Sequence, residues 1–275
     1  MTELPTTQPP RKYKVLLIGD NCTDVYRYGT VDRISPEAPV PIFKFSHEES
    51  RPGMAANVQN NLIALGLDVT AYLGPKSIKT RLIDVRSKQH ILRIDDDKKS
   101  SPFVFNDMRE PQEIIQELNE FDAIVISDYD KGYISYELVE DIKAVYKGPV
   151  FVDTKKKDLK RFEGCFIKIN ETEYNALTSI PSELIITLGR DGAMYKQFNL
   201  NLEQVFVGRN VEVVDVCGAG DTFLASLVAD FLNTKRIEDA IIFANRAAAI
   251  SVQHQGVYTL TDSDVSDIKQ QLNRK

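Results

Sequence analysis

Short apolar runs that end in polar residues recur along this chain. Residues 13–19 read Tyr-Lys-Val-Leu-Leu-Ile-Gly and are followed by Asp. Continuous apolar runs of this length are typical of strands that are buried on both faces of a parallel sheet. The same pattern predicts further strands over residues 69–73, 123–128, 149–153, 165–170 and 184–189.

Segments with helical periodicity separate most of these runs. The pattern predicts helices over residues 54–65, 112–119, 136–146, 219–232, 237–252 and 263–272. The first of them begins after Pro52-Gly53 and stops at Gly66, which are ordinary boundary signals for a helix. Strands that alternate with helices predict an α/β fold with a mostly parallel sheet and helices on both of its faces.

Residues 26–46 differ from the other predicted strands because they are rich in proline. Three prolines lie within residues 36–41, and central strands exclude proline because it lacks a backbone N–H. We therefore expect strands outside the main sheet here, and residues 81–86 and 90–95 are expected to pair as further extended segments. Together these segments predict a small β-strand lid at about residues 26–46 and 80–96.

Two connections between predicted strands are short. Residues 74–80 join two strands directly, although a parallel crossover needs at least about 10 residues. Residues 178–183 are also too few to hold a helix between two parallel strands. We expect both shortenings to remove layers around the core and to leave the motif residues in place.

The composition is that of an ordinary globular protein. The chain has 275 residues, of which 43% are hydrophobic and 27% are charged, and its net charge is −6. This balance excludes a largely disordered chain, and the mildly acidic charge argues against nucleic-acid and anionic-membrane partners. Residues 1–12 are polar and proline-rich and are expected to form a disordered leader.

Cysteine usage and hydropathy indicate the cellular compartment. Cys22, Cys165 and Cys217 lie far apart and form no CxxC pair, so neither a disulfide framework nor a structural zinc site is expected. No apolar stretch approaches the ~18 residues that are needed to span a membrane, and the leader lacks the apolar segment of a signal peptide. These features predict a cytoplasmic protein.

Polar side chains follow the ends of several predicted strands. In an open parallel sheet, ligands bind beyond the carboxyl ends of the strands. A single aspartate there is usually a turn residue or a helix cap, but several strands that end in this way favour a shared site. The residues at these ends are Asp20, Asp24, Asp128, Asp153, Lys155, Asn170, Glu173, Thr187 and Gly189.

A glycine-rich turn precedes the first of the long C-terminal helices. Gly218, Ala219 and Gly220 allow backbone N–H groups to approach a ligand, and a helix N-terminus favours anions. Asp221 in the first turn is placed to accept a proton from a hydroxyl that attacks a phosphate. An aspartate cap without chemistry explains the spacing equally well. The turn is neither a P-loop nor a GxGxxG fingerprint.

These residues carry a resemblance to a known family. Gly218-Ala-Gly-Asp221 resembles the C-terminal signature of the ribokinase-like (PfkB) carbohydrate kinases, and Gly53-Met-Ala-Ala-Asn57 resembles their N-terminal signature. Further strings resemble the D-glycero-β-D-manno-heptose 7-phosphate kinase branch, in which the kinase is often the N-terminal half of a fused kinase and adenylyltransferase. These strings are Gly19-Asp-x-x-x-Asp24, Arg33-Ile-Ser-Pro-Glu-Ala-Pro-Val-Pro41, Arg51-Pro-Gly-x-Ala-Ala-Asn57, Ser127-Asp-Tyr-x-Lys-Gly132 and Phe243-Ala-Asn245.

The resemblance implies a fold, a reaction and its cofactors. The fold is a ribokinase-like three-layer sandwich with a lid, formed as one kinase domain by residues 13–275. The reaction is ATP-dependent phosphorylation of a sugar or sugar phosphate, with position 1 of heptose 7-phosphate as the expected acceptor. ATP and Mg²⁺ are the implied cofactors, with K⁺ as a further candidate. A homodimer that forms through the lid is expected, and the length leaves no room for a fused adenylyltransferase.

The resemblance also assigns roles to individual positions. Asp221 matches the general base, and the amides of Gly218, Ala219 and Gly220 match the anion hole. The acceptor side is expected to contain Asp20, Asp24, Gly53 and Asn57, with Arg33, Asp128 and Lys131 as further candidates. The nucleotide side is expected to contain Lys155, Asn170, Glu173, Thr187, Gly189, Gly192 and Asn245. Glu173 is expected to organise Mg²⁺, directly or indirectly, and Asp215 a monovalent cation.

Two residues depart from the family pattern. Met54 stands where a second glycine is usual, and Cys217 stands where a threonine is usual before Gly218. Two alternatives therefore stay open. One is another ribokinase-like sugar or nucleoside kinase, against which the string from Arg33 to Pro41 weighs. The other is a non-catalytic protein that binds a sugar phosphate or a nucleotide on this scaffold.

Overall fold

A single mixed sheet runs through the computed structural model, which describes residues 12–105 and 110–272. The strands among these residues are β1 (Lys14–Ile34), β2 (Pro41–Met54), β3 (Asp68–Asp84), β4 (His90–Asp96), β5 (Ala123–Asp128), β6 (Val150–Thr154), β7 (Phe166–Asn170), β8 (Glu183–Thr187), β9 (Gly192–Gln197) and β10 (Leu202–Val207). Their order is β10-β9-β8-β7-β6-β5-β1-β3-β4, and β2 pairs with β1. All but the last residue of the predicted leader lie outside the described residues.

The strand pairing is parallel in the centre and antiparallel at the margins. β1 runs parallel to β3 and β5, and the series continues in parallel through β6, β7 and β8. The pairs β1–β2, β3–β4, β8–β9 and β9–β10 are antiparallel. The mostly parallel sheet that the sequence predicts is therefore confirmed.

The helices lie within two residues of their predicted bounds. They are α1 (Ala55–Ala64), α2 (Pro111–Leu118), α3 (Tyr136–Val145), α5 (Ala219–Thr234), α6 (Ile237–Ser251) and α7 (Asp262–Gln271), together with a short α4 (Glu171–Asn175) that the sequence pattern did not indicate. α3 begins at a normal cap, because the Ser135 hydroxyl accepts a hydrogen bond from the Leu138 amide.

The central strands are buried on both faces. Leu17 and Val125 pack in one apolar cluster with residues of α1, α5 and α6. Their neighbours Leu16 and Ile126 pack in a second cluster with residues of α2 and α3. Successive strand residues point to opposite faces, so this alternation places helices on each side of the sheet. The predicted three-layer architecture is confirmed.

A lid extends from the sheet because β1 and β3 are longer than the core requires. The first part of β1 pairs with β5, whereas its continuation pairs with β2 and with the second half of β3. β4 pairs with that same half of β3. The lid comprises these outer halves of β1 and β3 together with β2 and β4.

The prediction that residues 74–80 connect two separate strands is wrong. These residues belong to β3, which continues from the core into the lid, so no crossover is needed. The strand bends where the register shifts, since Leu73 pairs with Gly19 but Lys76 pairs with Asn21. Gly74 and Pro75 form the resulting bulge, where the missing N–H of proline costs no ladder hydrogen bond.

The sequence pattern missed the far edge of the sheet. β9 and β10 form an antiparallel hairpin beside β8, and their mixed sequences gave no long apolar run. Residues 178–183 contain no helix, as expected, and the crossover from β7 to β8 uses the short α4 instead.

Candidate active site

Asp221 lies at the start of α5, directly after the glycine-rich turn. Its carboxylate is buried, and the side chain is 3% exposed. Tyr129 donates a hydrogen bond from its hydroxyl to Asp221 Oδ1 over 2.7 Å, and Asn57 donates from Nδ2 to Oδ2 over 3.1 Å. α5, the loop after β5 and α1 therefore converge on one carboxylate.

The environment of Asp221 makes it a stronger base than an ordinary aspartate. Burial raises its pKa to about 6, and the hydrogen bonds from Tyr129 and Asn57 oppose this rise. The negative charge of Asp153 raises the pKa further, and the positive charge of Lys168 lowers it. Asp221 is therefore ionised at neutral pH but holds a proton more tightly than a solvated carboxylate, which suits a general base.

The turn before α5 brings backbone amides close to this carboxylate. Gly218 has a φ of 75°, and a Cβ atom there would lie 2.6 Å from Asn57 Nδ2. Both the backbone conformation and the lack of space therefore require glycine. The amides that follow are at the N-terminus of a 16-residue helix, where an anion is favoured.

A buried ion pair lies beside the turn. Lys168 Nζ is 2.8 Å from Asp153 Oδ2, and neither side chain is more than 6% exposed. The Lys168 ammonium also lies 2.9 Å from the position that a Cβ atom on Gly220 would occupy. The turn therefore has a positive charge at its side as well as amides at its tip.

A cavity of about 630 Å³ opens on the far side of the turn. Ala219, Gly220 and Phe223 line it from α5, and four residues predicted for the nucleotide side line it as well: Thr187, Gly189, Gly192 and Asn245. Asn245 donates from Nδ2 to the Phe206 carbonyl over 3.0 Å. A cavity of this size suits a nucleotide.

Lys155, Asn170 and Glu173 meet at the end of β7. Asn170 caps α4 by accepting a hydrogen bond from the Glu173 amide, and Glu173 accepts one from the Asn170 amide, each over 2.8 Å. The Lys155 ammonium forms an ion pair with Glu173. Lys155 also lies 5.3 Å from the centre of the Tyr129 ring, and the hydroxyl of Tyr129 donates to Asp221.

Asp20, Asp24 and Gly53, which are expected on the acceptor side, lie beneath the lid. Asp20 accepts a hydrogen bond from the Tyr129 amide over 2.6 Å, and burial raises its pKa. Asp24 forms a buried ion pair with Arg81 from the lid part of β3. A Cβ atom on Gly53 would lie 1.9 Å from Asp24 Oδ2, so only glycine fits there. Met54 has a φ of 55°, which is the conformation that the usual glycine would favour.

Four further predicted residues are either exposed or engaged in contacts within the fold, and their predicted roles stay predictions. Arg33 is exposed at the outer end of β1. Asp128 accepts a hydrogen bond from Thr154 Oγ1 over 2.6 Å and lies 3.4 Å from Lys156 Nζ, so its carboxylate is engaged within the fold. Lys131 pairs with Asp97. The Asp215 carboxylate accepts hydrogen bonds from two backbone amides, each over 2.9 Å.

Several residues at the site were not predicted. They surround Asp221 or the residues expected on the acceptor side, and they are Tyr129, Lys168, Arg81 and Lys79. Tyr129 carried a usable signal, because it follows the Ser127-Asp128 end of a predicted strand. The other three lie inside strands, where a charged residue is ordinarily read as solvent-facing. No group of three or more His, Cys, Asp and Glu residues that could hold a metal occurs among residues 12–105 and 110–272.

Comparison with known proteins identifies the family. The model of the pfkB family carbohydrate kinases matches residues 76–264. The chain belongs to this family. Its likeness to the solved structure of Arabidopsis thaliana ribokinase complexed with ribose and ATP has a TM-score of 0.69 at 15% identity, over 94% of this chain and 99% of that one. This likeness confirms the ribokinase-like fold.

Curated relatives narrow the comparison within the pfkB family. The chain is 30% identical over 312 residues to the bifunctional protein HldE of Nitratiruptor sp., covering 96% of this chain and 66% of that protein. It is 31% identical over 303 residues to HldE of Pectobacterium atrosepticum, covering 94% and 63%. The chain thus spans about two thirds of the length of these relatives. Both alignments exceed its 275 residues, so the relatives contain segments that it lacks.

No helix in the described part of the chain is long and apolar enough to cross a membrane. As a member of the pfkB family, the chain is a sugar kinase.

Proposed function

We propose that this chain transfers the γ-phosphoryl group of ATP to the hydroxyl at position 1 of heptose 7-phosphate in the cytoplasm. The observation that carries the proposal is the position of Asp221. Its buried carboxylate lies at the head of α5, with the nucleotide-sized cavity on one side and the buried residues Asp20 and Asp24 beneath the lid on the other. The likeness to HldE supports a heptose phosphate as the acceptor.

The proposed reaction needs a base and a site for negative charge. Asp221 would accept the proton of the attacking hydroxyl, and its raised pKa favours that transfer. The amides of Gly218, Ala219 and Gly220 would bind the oxygens of the transferring phosphoryl group. Lys168 and Lys155 would add positive charge next to them. Phosphoryl transfer depends mainly on such positioning and charge neutralisation.

Oxygen atoms that suit Mg²⁺ are available on the nucleotide side. Asp153 Oδ1 is buried and has no hydrogen-bond partner among the described residues. The Glu173 carboxylate pairs with Lys155, whose ammonium also interacts with Asp153. Carboxylate oxygens are the ligands that Mg²⁺ prefers, so Asp153 and Glu173 would hold it. When bound, the ion would neutralise charge on the β- and γ-phosphates.

Asp215 supports the K⁺ prediction less well. Both of its carboxylate oxygens already accept backbone amides, and His90 of the lid lies 3.9 Å from one of them. These contacts are those of a residue that fixes the loop before α5 and holds it against the lid. The role of Asp215 as a ligand of a monovalent cation stays a prediction.

The proposal is tested by ADP release with a panel of acceptors. Heptose 7-phosphate, free heptose, ribose, fructose 6-phosphate and adenosine cover the proposed substrate and the alternative kinases. We expect the highest kcat/KM with heptose 7-phosphate. A higher kcat/KM with ribose or adenosine would make that compound the acceptor in place of heptose 7-phosphate. ATP binding without turnover on any of them, in a folded sample, would favour a non-catalytic binding protein and reject the proposal.

A homodimer through the lid belongs to the same proposal. The face of the lid that points away from Asp24 carries apolar side chains, of which Phe45 is 60%, Leu92 53% and Ile94 49% exposed. Exposed apolar patches of this kind mark interaction surfaces. We expect light scattering to give twice the 31.1 kDa chain mass. Leu92→Lys should lower the measured mass toward that of a single chain. A monomeric wild type at micromolar concentration would contradict the dimer.

A further inference from the structure

The cations around the catalytic carboxylate differ in whether they are already paired. Four of them form ion pairs with carboxylates: Arg81 with Asp24, Lys131 with Asp97, Lys155 with Glu173 and Lys168 with Asp153. Lys79 is the exception, because no carboxylate among the described residues lies within ion-pair distance of it. Its ammonium instead lies 5.3 Å from the centre of the Tyr129 ring.

The position of Lys79 on its strand directs it toward the acceptor. Lys79 pairs in register with Asp24 on the neighbouring parallel strand. Arg81, two residues further along β3, shares the face of Lys79 and contacts Asp24. This face of the lid is therefore the one that covers the acceptor side. The opposite face carries the exposed apolar residues Leu92 and Ile94.

The Tyr129 side chain contacts both Lys79 and Asp221. The hydroxyl of Tyr129 donates to Asp221, and Lys79 lies over the ring of the same side chain. One tyrosine ring thus separates the lysine ammonium from the general base. A sugar phosphate carries its attacking hydroxyl and its phosphate at different ends, so the two groups would meet Asp221 and Lys79 on either side of this ring. A ring contact also holds the ammonium in place without neutralising it.

Lys79 is a positive charge next to an acceptor side that is rich in carboxylates. Asp20, Asp24 and Asp221 are buried there, and they would repel an anionic sugar more than a neutral one. A half-buried ammonium interacts with an anion more strongly than an exposed one, and lysine is a common partner of phosphate. We propose that Lys79 binds the phosphate that the acceptor already carries and thereby selects a sugar phosphate over a free sugar. This inference rests on the proposed function.

Lys76 provides a matched control. It lies three residues before Lys79 on β3 and is exposed. An odd spacing on a strand places the two lysines on opposite faces. Lys76→Met therefore removes the same charge from the same strand without reaching the acceptor side, whereas Lys79→Met removes it there. Lys79→Arg keeps the charge and is expected to retain most of the binding.

Calorimetry with a non-hydrolysable ATP analogue tests the inference without requiring turnover. We expect Lys79→Met to weaken heptose 7-phosphate binding about 10- to 100-fold, the loss expected for one charge-assisted hydrogen bond. Free heptose and the ATP analogue should bind as in the wild type, and Lys76→Met should match the wild type throughout. Circular dichroism and thermal melting confirm that each variant is folded.

The outcomes separate this inference from the proposed function. Equal losses for heptose and heptose 7-phosphate would make Lys79 a structural residue and overturn the inference, as would an unchanged affinity for heptose 7-phosphate or a wild type that binds neither sugar. If the wild type releases ADP with heptose 7-phosphate but Lys79→Met binds it normally, the kinase stands and the lysine assignment fails. Lysine-dependent binding without ADP release would reject the kinase and keep the subsite.

Discussion

The two halves of β3 have different surroundings although they belong to one strand. The core half pairs with β1, whereas β4 pairs only with the lid half, and Val69, Ala71 and Leu73 of the core half pack against the helix layer. The lid half has one face toward the catalytic centre, with Lys79 and Arg81, and one face that is exposed at Ile78. The core therefore fixes the position of Asp221 on α5, which we propose as the general base, and the lid places Lys79 and Arg81 on the face that we propose meets the acceptor.

The largest expected effect is on the core side of this comparison. Asp221→Asn removes the proton acceptor while it keeps the size of the side chain. We expect kcat to fall by at least about 100-fold, because general-base catalysis contributes about 10²- to 10⁴-fold. ADP release measures the loss, and ATP binding should be retained. A kcat near that of the wild type would remove Asp221 from the mechanism.

The same variant has a stability signature. The pKa of Asp221 is 3.8 in a solvated chain and about 6 in the folded protein, so the folded state binds the proton more tightly. Stability therefore falls as the pH rises from about 4 to 6, and the cost is complete above that range. Asp221→Asn avoids this cost and should be more stable than the wild type at pH 8, by up to about 3 kcal/mol. Denaturant titrations at pH 8 and pH 4 measure the difference.

The next effect is on the lid side. Arg81→Met leaves Asp24 buried without its partner, since the two side chains are 9% and 5% exposed. Breaking a buried pair typically costs about 3 kcal/mol or more. Arg27→Met, which breaks a pair with Glu48 that is 49% and 38% exposed, should cost less than about 1 kcal/mol. Equal losses in urea unfolding would show that the lid pair is not buried in solution.

The smallest expected effect concerns Tyr129, which contacts Asp221 of the core and Lys79 of the lid. Tyr129→Phe removes the hydroxyl that donates to Asp221 but keeps the ring beneath Lys79. The hydrogen bond stabilises the ionised carboxylate, so its loss raises the pKa of Asp221. The acid limb of the kcat profile should move to higher pH by about one pH unit, which corresponds to one ordinary hydrogen bond. An unchanged limb would mean that Tyr129 does not tune the base.

The sequence predicted the core better than the lid for a physical reason. The central strands are apolar runs that any buried parallel sheet requires, and the strand β5 matches its predicted bounds. β3 was instead predicted as two strands, because Gly74-Pro75 resembles a turn in the sequence. Only the pairing with β1 shows that these residues form a bulge within one strand. Local patterns do not report such a partner.

The candidate site followed the same division. Asp221, Asn57 and Asp20 lie where the strand ends and the family signatures indicated. Lys79 and Arg81 were missed because alternating charged and apolar residues in a strand are also typical of a solvent-facing edge. Their proposed roles depend on which face the lid turns toward the core, and that follows from tertiary packing and not from local sequence.

The most direct test of the account is ³¹P NMR of the reaction with ATP, Mg²⁺ and heptose 7-phosphate, run in parallel on the wild type and Asp221→Asn. We expect the wild type to produce ADP and a second phosphate ester on the sugar at position 1. The Asp221→Asn sample should produce neither on the same timescale. A folded wild type that binds ATP but leaves the sugar spectrum unchanged would contradict the central claim, as would the same product from both proteins.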